Sequence, residues 1–80
     1  MDIGLAFGRV LRQKRKEAGL TQEQLALEAD VQRNYVSLVE RGVHNPTIAV
    51  LFRLATALRC PPSALVSELE RMLDKRIDLS

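Results

Sequence analysis

The sequence predicts an all-α domain of five short helices, compactly packed, and three observations carry that prediction. Apolar residues recur at every third or fourth position, and no stretch alternates apolar and polar residues in the way a strand would. The punctuation falls at helical intervals: Gly19, Gly42 and the Cys60-Pro61-Pro62 break divide the chain into pieces of helix length. Apolar residues make up 46% of the 80 residues, enough for one core but near the low end for a chain that folds alone. The expected organisation is a single domain over 1–80, with no internal repeat and no low-complexity segment.

The first helix is expected from Ile3 to Ala18, because Ile3, Phe7, Val10 and Leu11 line up as one apolar stripe. Gly19 ends it by taking the left-handed conformation that glycine adopts at little cost. Thr21 then N-caps the second helix, and Gln24, three residues on, completes a capping-box pattern. Leu25, Ala26 and Ala29 face inward there, and the small alanines let two helices approach closely. Asp30 and Val31 make a tight turn. The third helix starts near Gln32 and stops at Gly42, with Val36 and Val39 on its inner face. Val43-His44-Asn45 reads as a loop, and Asn45-Pro46-Thr47 as a helix start, where proline is tolerated. The fourth helix covers Thr47 to Arg59 with a wide stripe of Ile48, Leu51, Phe52, Leu54, Ala55 and Leu58. Cys60-Pro61-Pro62 breaks it, and the fifth follows over about 63–76, from Ser63 to Arg76.

Two charges fall on inner faces. Arg15 lies four residues after Leu11, and Glu40 four after Val36. Burying either one alone would cost several kcal/mol. The expectation is an Arg15–Glu40 ion pair joining the first helix to the third; the other reading is a pair of surface charges whose stems cover apolar neighbours.

Composition removes several function classes. One cysteine allows no internal disulfide, so a reducing cytoplasm is the expected location. No apolar run approaches the ~20 residues that cross a bilayer, and the N-terminus lacks the order of a signal peptide. A single His and a single Cys cannot build a zinc set within one chain, and the four glycines form no phosphate loop. His44 reads as a surface or DNA-proximal residue, Cys60 as a small core residue, and Ser63 and Ser67 as cap and surface. No metal, cofactor or enzymatic activity is expected. The net charge of +2 says little about partners. The run Arg9, Arg12, Lys14, Arg15, Lys16 has two readings, an anchor on phosphates and a solvated helix face.

The third helix is more specific. Its outward face carries Gln, Arg and Asn, side chains that hydrogen-bond base edges in the major groove of DNA. In this setting the chain resembles the lambda-repressor-like, or xenobiotic-response-element, helix-turn-helix family. The resemblance spans about Val10 to Leu65. It rests on Leu11-Arg12, Arg15 and Ala18-Gly19-Leu20-Thr21-Gln22-Glu23-Gln24-Leu25-Ala26, on Tyr35-Val36-Ser37 and Val39-Glu40-Arg41-Gly42, on Asn45-Pro46-Thr47, and on Leu54-Ala55 with Ala57-Leu58. It implies a five-helix domain that binds double-stranded operator DNA as a homodimer and regulates transcription. Among such proteins, small stand-alone phage repressors of the Cro kind and the controllers of restriction–modification systems offer the nearest models.

At matching positions the resemblance implies base contacts from Gln32, Arg33, Asn34, Ser37 and Leu38. It implies phosphate contacts from Gln22, Tyr35, Arg41, Asn45 and Thr47. Leu38 departs from the polar residue relatives often place there; it can pack on a thymine methyl, or lie under the Arg41 or Asn34 side chain. The fifth helix carries Leu65, Val66, Leu69, Met72, Leu73 and Ile77, a sector wider than one packing contact needs. Leu65, Leu69, Met72 and Leu73 are therefore the expected dimer contacts, the alternative being that all this surface packs internally. With no second domain in view, no small-molecule effector is expected, and control would come from protein concentration. The competing function is an antitoxin-like interaction module on the same fold.

Overall fold

The computed structural model describes residues 2–77, with side chains described through residue 74. Its five helices are α1 (Ile3–Glu17), α2 (Gln22–Ala29), α3 (Arg33–Glu40), α4 (Ile48–Ala57) and α5 (Pro62–Ile77), and there is no strand among the described residues. All five expected helices are present, with ends displaced by a residue or two.

The starts follow side-chain chemistry. Asp2 caps α1 by accepting from the Leu5 N–H at 3.0 Å. Thr21 caps α2 in a full capping box: its hydroxyl oxygen accepts from Gln24 N–H at 3.0 Å, while Gln24 Oε1 accepts from Thr21 N–H at 2.9 Å. Thr47 caps α4 through Val50 N–H at 3.2 Å. Pro62 opens α5 one residue earlier than the sequence suggested, in the first-turn position that proline favours.

The stops of α1 to α4 share one device. In each, a residue with left-handed φ turns the chain, and the next N–H reaches back to a carbonyl of the last helical turn. The turning residues are Gly19 (φ 74°), Asp30 (58°), Gly42 (79°) and Arg59 (58°). The matching bonds run from Leu20 to Arg15, Val31 to Ala26, Val43 to Leu38 and Cys60 to Ala55, at 2.9–3.1 Å. The fourth helix is thus ended by Arg59, and the two prolines only follow.

Every helix supplies the core, which comprises Phe7, Val10 and Leu11 from α1, Leu25, Ala26 and Ala29 from α2, and Val36 and Val39 from α3. Leu54, Ala55, Ala57 and the capping Leu58 from α4, with Leu65 from α5, complete it. Each fully buried leucine or valine contributes about 1.5–3 kcal/mol. α1 packs on α3 and α5, α2 on α3 and α4, and α4 on α5. Arg53 adds a polar tie, donating from Nε to the Ala29 carbonyl at 3.1 Å and so fixing α4 against the end of α2. No single described helix is long and apolar enough to cross a membrane.

Two expectations about helix faces need correction. Leu65 is fully buried in the core and is not available to a second chain. Ile48 (72% exposed) and Phe52 (55%) lie outside the core, because Leu54, Ala55 and Leu58 already fill the inner side of α4. The other expected dimer contacts, Leu69, Met72 and Leu73, are half-buried; the side chain of Ile77, from the same apolar sector, lies outside the described residues.

Candidate nucleic-acid interface

The site is built around α3, which has only eight residues. A helix that short does not persist alone in water, so its neighbours must fix it. Two devices do so from behind. The first is polar. Arg15 donates from Nε to Glu40 Oε2 at 2.6 Å and from Nη2 to Glu40 Oε1 at 3.1 Å, a two-pronged ion pair. The two side chains are only 11% and 4% exposed. Arg15 Nη1 also donates to the Leu20 carbonyl at 2.9 Å, and Gln22 Nε2 donates to Glu40 Oε1 at 3.0 Å. One carboxylate therefore joins α1, the head of α2 and the end of α3, and no buried side-chain polar atom among the described residues lacks a partner.

The second device is steric. A methyl group at Gly8 would sit 2.5 Å from the Glu40 carbonyl oxygen and 2.6 Å from that of Val39. At Gly4 it would sit 2.8 Å from the Asn45 amide oxygen. These two glycines, one turn apart, let α1 lie directly on the backbone at the end of α3 and on the loop beyond. Their four-residue spacing inside one helix is the signal in the sequence that marks such a close approach.

With its rear fixed, α3 turns the other side outward. Gln32, Arg33, Asn34 and Arg41 are exposed, and Ser37 and Leu38 are half-buried between them. Gln32 occupies the N-cap position without a side-chain cap bond, so its amide is uncommitted to the helix. No acidic residue lies in the first turn of α3, and Glu40 is turned inward, so the outward charges on this helix are Arg33 and the capping Arg41. Asn34 and Leu38 lie one turn apart on the same outward stripe, flanked by Arg33, Ser37 and Arg41.

The remaining candidates differ in how free they are. Gln22 is half-buried, and one of its two Nε2 hydrogens is committed to Glu40; the other remains, with the N–H groups at the start of α2. Glu23 adds a carboxylate to that same first turn. Thr47 uses its hydroxyl oxygen as the α4 cap and keeps its proton as a donor. Asn45 is exposed, next to Gly4. Tyr35 is half-buried, packs against the core, and stacks on His44, with ring centroids 6.1 Å apart and 14° between planes. Of the basic run on α1, Arg15 is taken by Glu40, Lys14 lies 3.9 Å from Glu17, and Arg9, Arg12 and Lys16 are exposed on one outward stripe. No group of His, Cys, Asp and Glu among the described residues could hold a metal ion.

A second surface lies beside the first. Ile3 and Phe7 of α1, Pro46, Ile48 and Leu51 around the head of α4, and Val66 and Leu69 of α5 line an open apolar groove. Ile3, Ile48 and Val66 are 55%, 72% and 40% exposed there.

Comparison with known proteins places this geometry. The sequence profile of the helix-turn-helix family matches residues 11–65. Over 66 residues the chain is 36% identical to control protein C.BamHI of Bacillus amyloliquefaciens, covering 81% of this chain and 82% of that one. Over 58 residues it is 40% identical to an uncharacterized HTH-type transcriptional regulator, y4dJ, of Sinorhizobium fredii, covering 72% and 75%. Among solved structures, the restriction–modification controller protein C.AhdI from Aeromonas hydrophila superposes with a TM-score of 0.75 at 43% identity. That match covers 76% of this chain and 92% of the other.

Proposed function

This chain belongs to the helix-turn-helix family, and from that premise we propose that it is a sequence-specific regulator of transcription. It binds duplex DNA with α3 in the major groove and acts in the cytoplasm without an enzymatic step. The observation that carries the reading is the division of α3. Its rear is fully bonded to the rest of the chain, while Gln32, Arg33 and Asn34 stand exposed at its leading end. Arginine forks onto guanine O6 and N7, and asparagine pairs with adenine N6 and N7, so two adjacent side chains can read adjacent bases. Gln22, Tyr35, Arg41, Asn45 and Thr47, along α3 and at and beyond its far end, offer donors suited to phosphates, which fix register without reading sequence.

One eight-residue helix reads too few base pairs to select a site in a genome. The working unit is a homodimer on a palindromic operator, its two recognition helices about 34 Å apart. The exposed Ile48 and Phe52, one turn apart on α4, and the exposed Val66 of α5, which shares the groove with Ile48 and Leu69, support that assembly; they replace Leu65 as the expected contact. Similarity to restriction–modification controller proteins supports a small regulator acting on its own promoter and governed by its concentration.

Selection from a pool of random duplex DNA at moderate salt tests the reading. Enrichment of a two-fold symmetric sequence is the expected outcome, and no enrichment of any duplex would overturn DNA binding. Sedimentation at micromolar protein without DNA should give a dimer, and Ile48→Glu combined with Phe52→Glu a monomer that still folds. A wild-type monomer under those conditions would remove the dimer.

A further inference from the structure

The loop after α3 holds the only histidine of the chain, and it is held deliberately close to the recognition helix. The N–H groups of Val43 and His44 both donate to the Leu38 carbonyl, at 2.9 and 3.3 Å, so the loop folds back onto the last turn of α3. The imidazole then lies parallel to the Tyr35 ring. Tyr35 is anchored by the core on its other side, whereas His44 is exposed. Tyr35 therefore lies on the flank of α3, directly beside the outward stripe of Asn34 and Leu38. With centroids 6.1 Å apart the near-parallel rings are offset, and the two imidazole nitrogens are left for other partners.

We propose that the Tyr35–His44 stack makes DNA binding proton-linked: His44 enters the complex as imidazolium, steadied by Tyr35 against a backbone phosphate beside the recognition helix. The proposal deepens the DNA-binding reading and rests on it. The surroundings favour a phosphate as the partner of that charge. On α3 the neighbours are Tyr35 and Arg41, and neither is a carboxylate that would take the place of a phosphate. The loop from Val43 to Thr47 contains no carboxylate, and the first turn of α4 contains none. At the head of α1, which packs against this loop through Gly4, the charged group is Asp2; its carboxylate caps α1 at the Leu5 N–H and lies beside Gly4 with the Asn45 amide, the one carboxylate at this end of the loop among the described residues. A DNA phosphate diester keeps its single negative charge across neutral pH, while histidine is the side chain whose charge changes between about pH 5 and 8. A complex that prefers the protonated ring binds tightest at low pH and weakens as pH rises and the proton leaves.

The experiment measures the affinity of wild type, His44→Gln and His44→Arg for the duplex recovered by selection, at fixed salt, between about pH 6 and pH 8. Position 44 is exposed, so all three proteins fold. A hydrogen bond to a charged donor exceeds a neutral one by about fivefold in affinity, and with one such bond from each protomer wild type should be about 25-fold tighter at the acid end. His44→Gln should be flat at the weaker value, and His44→Arg flat at the tighter one. The slope of log affinity against log salt should also be steeper by about 1.8 at the acid end in wild type, for one more phosphate neutralised by each protomer of the dimer. Wild-type binding that does not change with pH, or a pH dependence that survives in His44→Gln, would overturn the proposal. Failure of all three proteins to bind any duplex at any pH would instead remove the DNA-binding reading, and this inference with it.

Discussion

The rear and the front of α3 are built on opposite principles, although only eight residues carry both. At the rear, Val36 and Val39 are fully buried, both oxygens of Glu40 are bonded, and α1 presses its glycines onto the backbone. At the front, Gln32, Arg33, Asn34 and Arg41 are exposed. The rear supplies rigidity that a two-turn helix cannot supply for itself. The front is thereby released from any duty to the fold, and its residues can be chosen for what they touch outside. This division yields a plain rule: changes behind should cost stability, and changes in front should cost recognition alone.

The strongest challenge to that rule is Glu40→Ala. It leaves the Arg15 guanidinium with one protein partner, the Leu20 carbonyl, in a site where its side chain is only 11% exposed. It also strips Gln22 Nε2 of its acceptor. Removing one member of a buried pair costs about 3–5 kcal/mol, and urea denaturation should show a loss in that range. A loss no greater than the ~0.5 kcal/mol of an ordinary surface change would mean that the rear is not held by this pair, and the comparison would fail.

The front was legible in the sequence and the rear only in part, for a physical reason. Outward residues announce themselves by polarity at helical spacing, so Gln32, Arg33 and Asn34 could be placed from the order of residues alone. Arg15 and Glu40 could also be matched, because a charge on an apolar stripe demands a partner. Gln22 could not be assigned to Glu40 that way: an amide at a helix start is equally at home in water. Gly4 and Gly8 act through what they lack, and absence of a side chain carries no polarity signal. Asp30 and Arg59 hold left-handed turns that sequence rules assign first to glycine, so the turn at Asp30 was visible without its conformation, and the stop at Arg59 was credited to the prolines after it. Ile48 and Phe52 appeared as core because periodicity gives the width of an apolar face and not which part of it neighbouring helices cover. The same limit placed Leu65 at an interface when it lies at the centre of the fold.

Arg33→Ala probes the front directly. The side chain is exposed, so thermal unfolding should be unchanged within about 0.5 kcal/mol. Affinity for the selected duplex should fall by about 1–3 kcal/mol for each half-site, with preference relaxed at one base pair in each. Repeating the selection with the variant separates the two contributions: lost preference at one position marks a base contact, whereas a uniform loss across sequences would demote Arg33 to a phosphate contact. An unchanged affinity and consensus would show that the leading end of α3 does not face the bases.

The smallest expected effect comes from the turn that joins α2 to α3. Asp30 holds φ 58° there, a conformation that costs an L-residue roughly 1–2 kcal/mol and glycine almost nothing. Glycine gives back part of that gain through its greater freedom in the unfolded chain, so Asp30→Gly should stabilise the fold by about 0.5 kcal/mol. The bonds that set the angle of α3, from Val31 N–H to the Ala26 carbonyl and from Arg15 and Gln22 to Glu40, are all made without the Asp30 side chain. Affinity for the selected duplex should therefore stay the same while the melting temperature rises slightly. If the variant is more stable but binds more weakly, the turn is setting the approach of the front as well as closing the rear, and the two sides of α3 are coupled through a residue that belongs to neither.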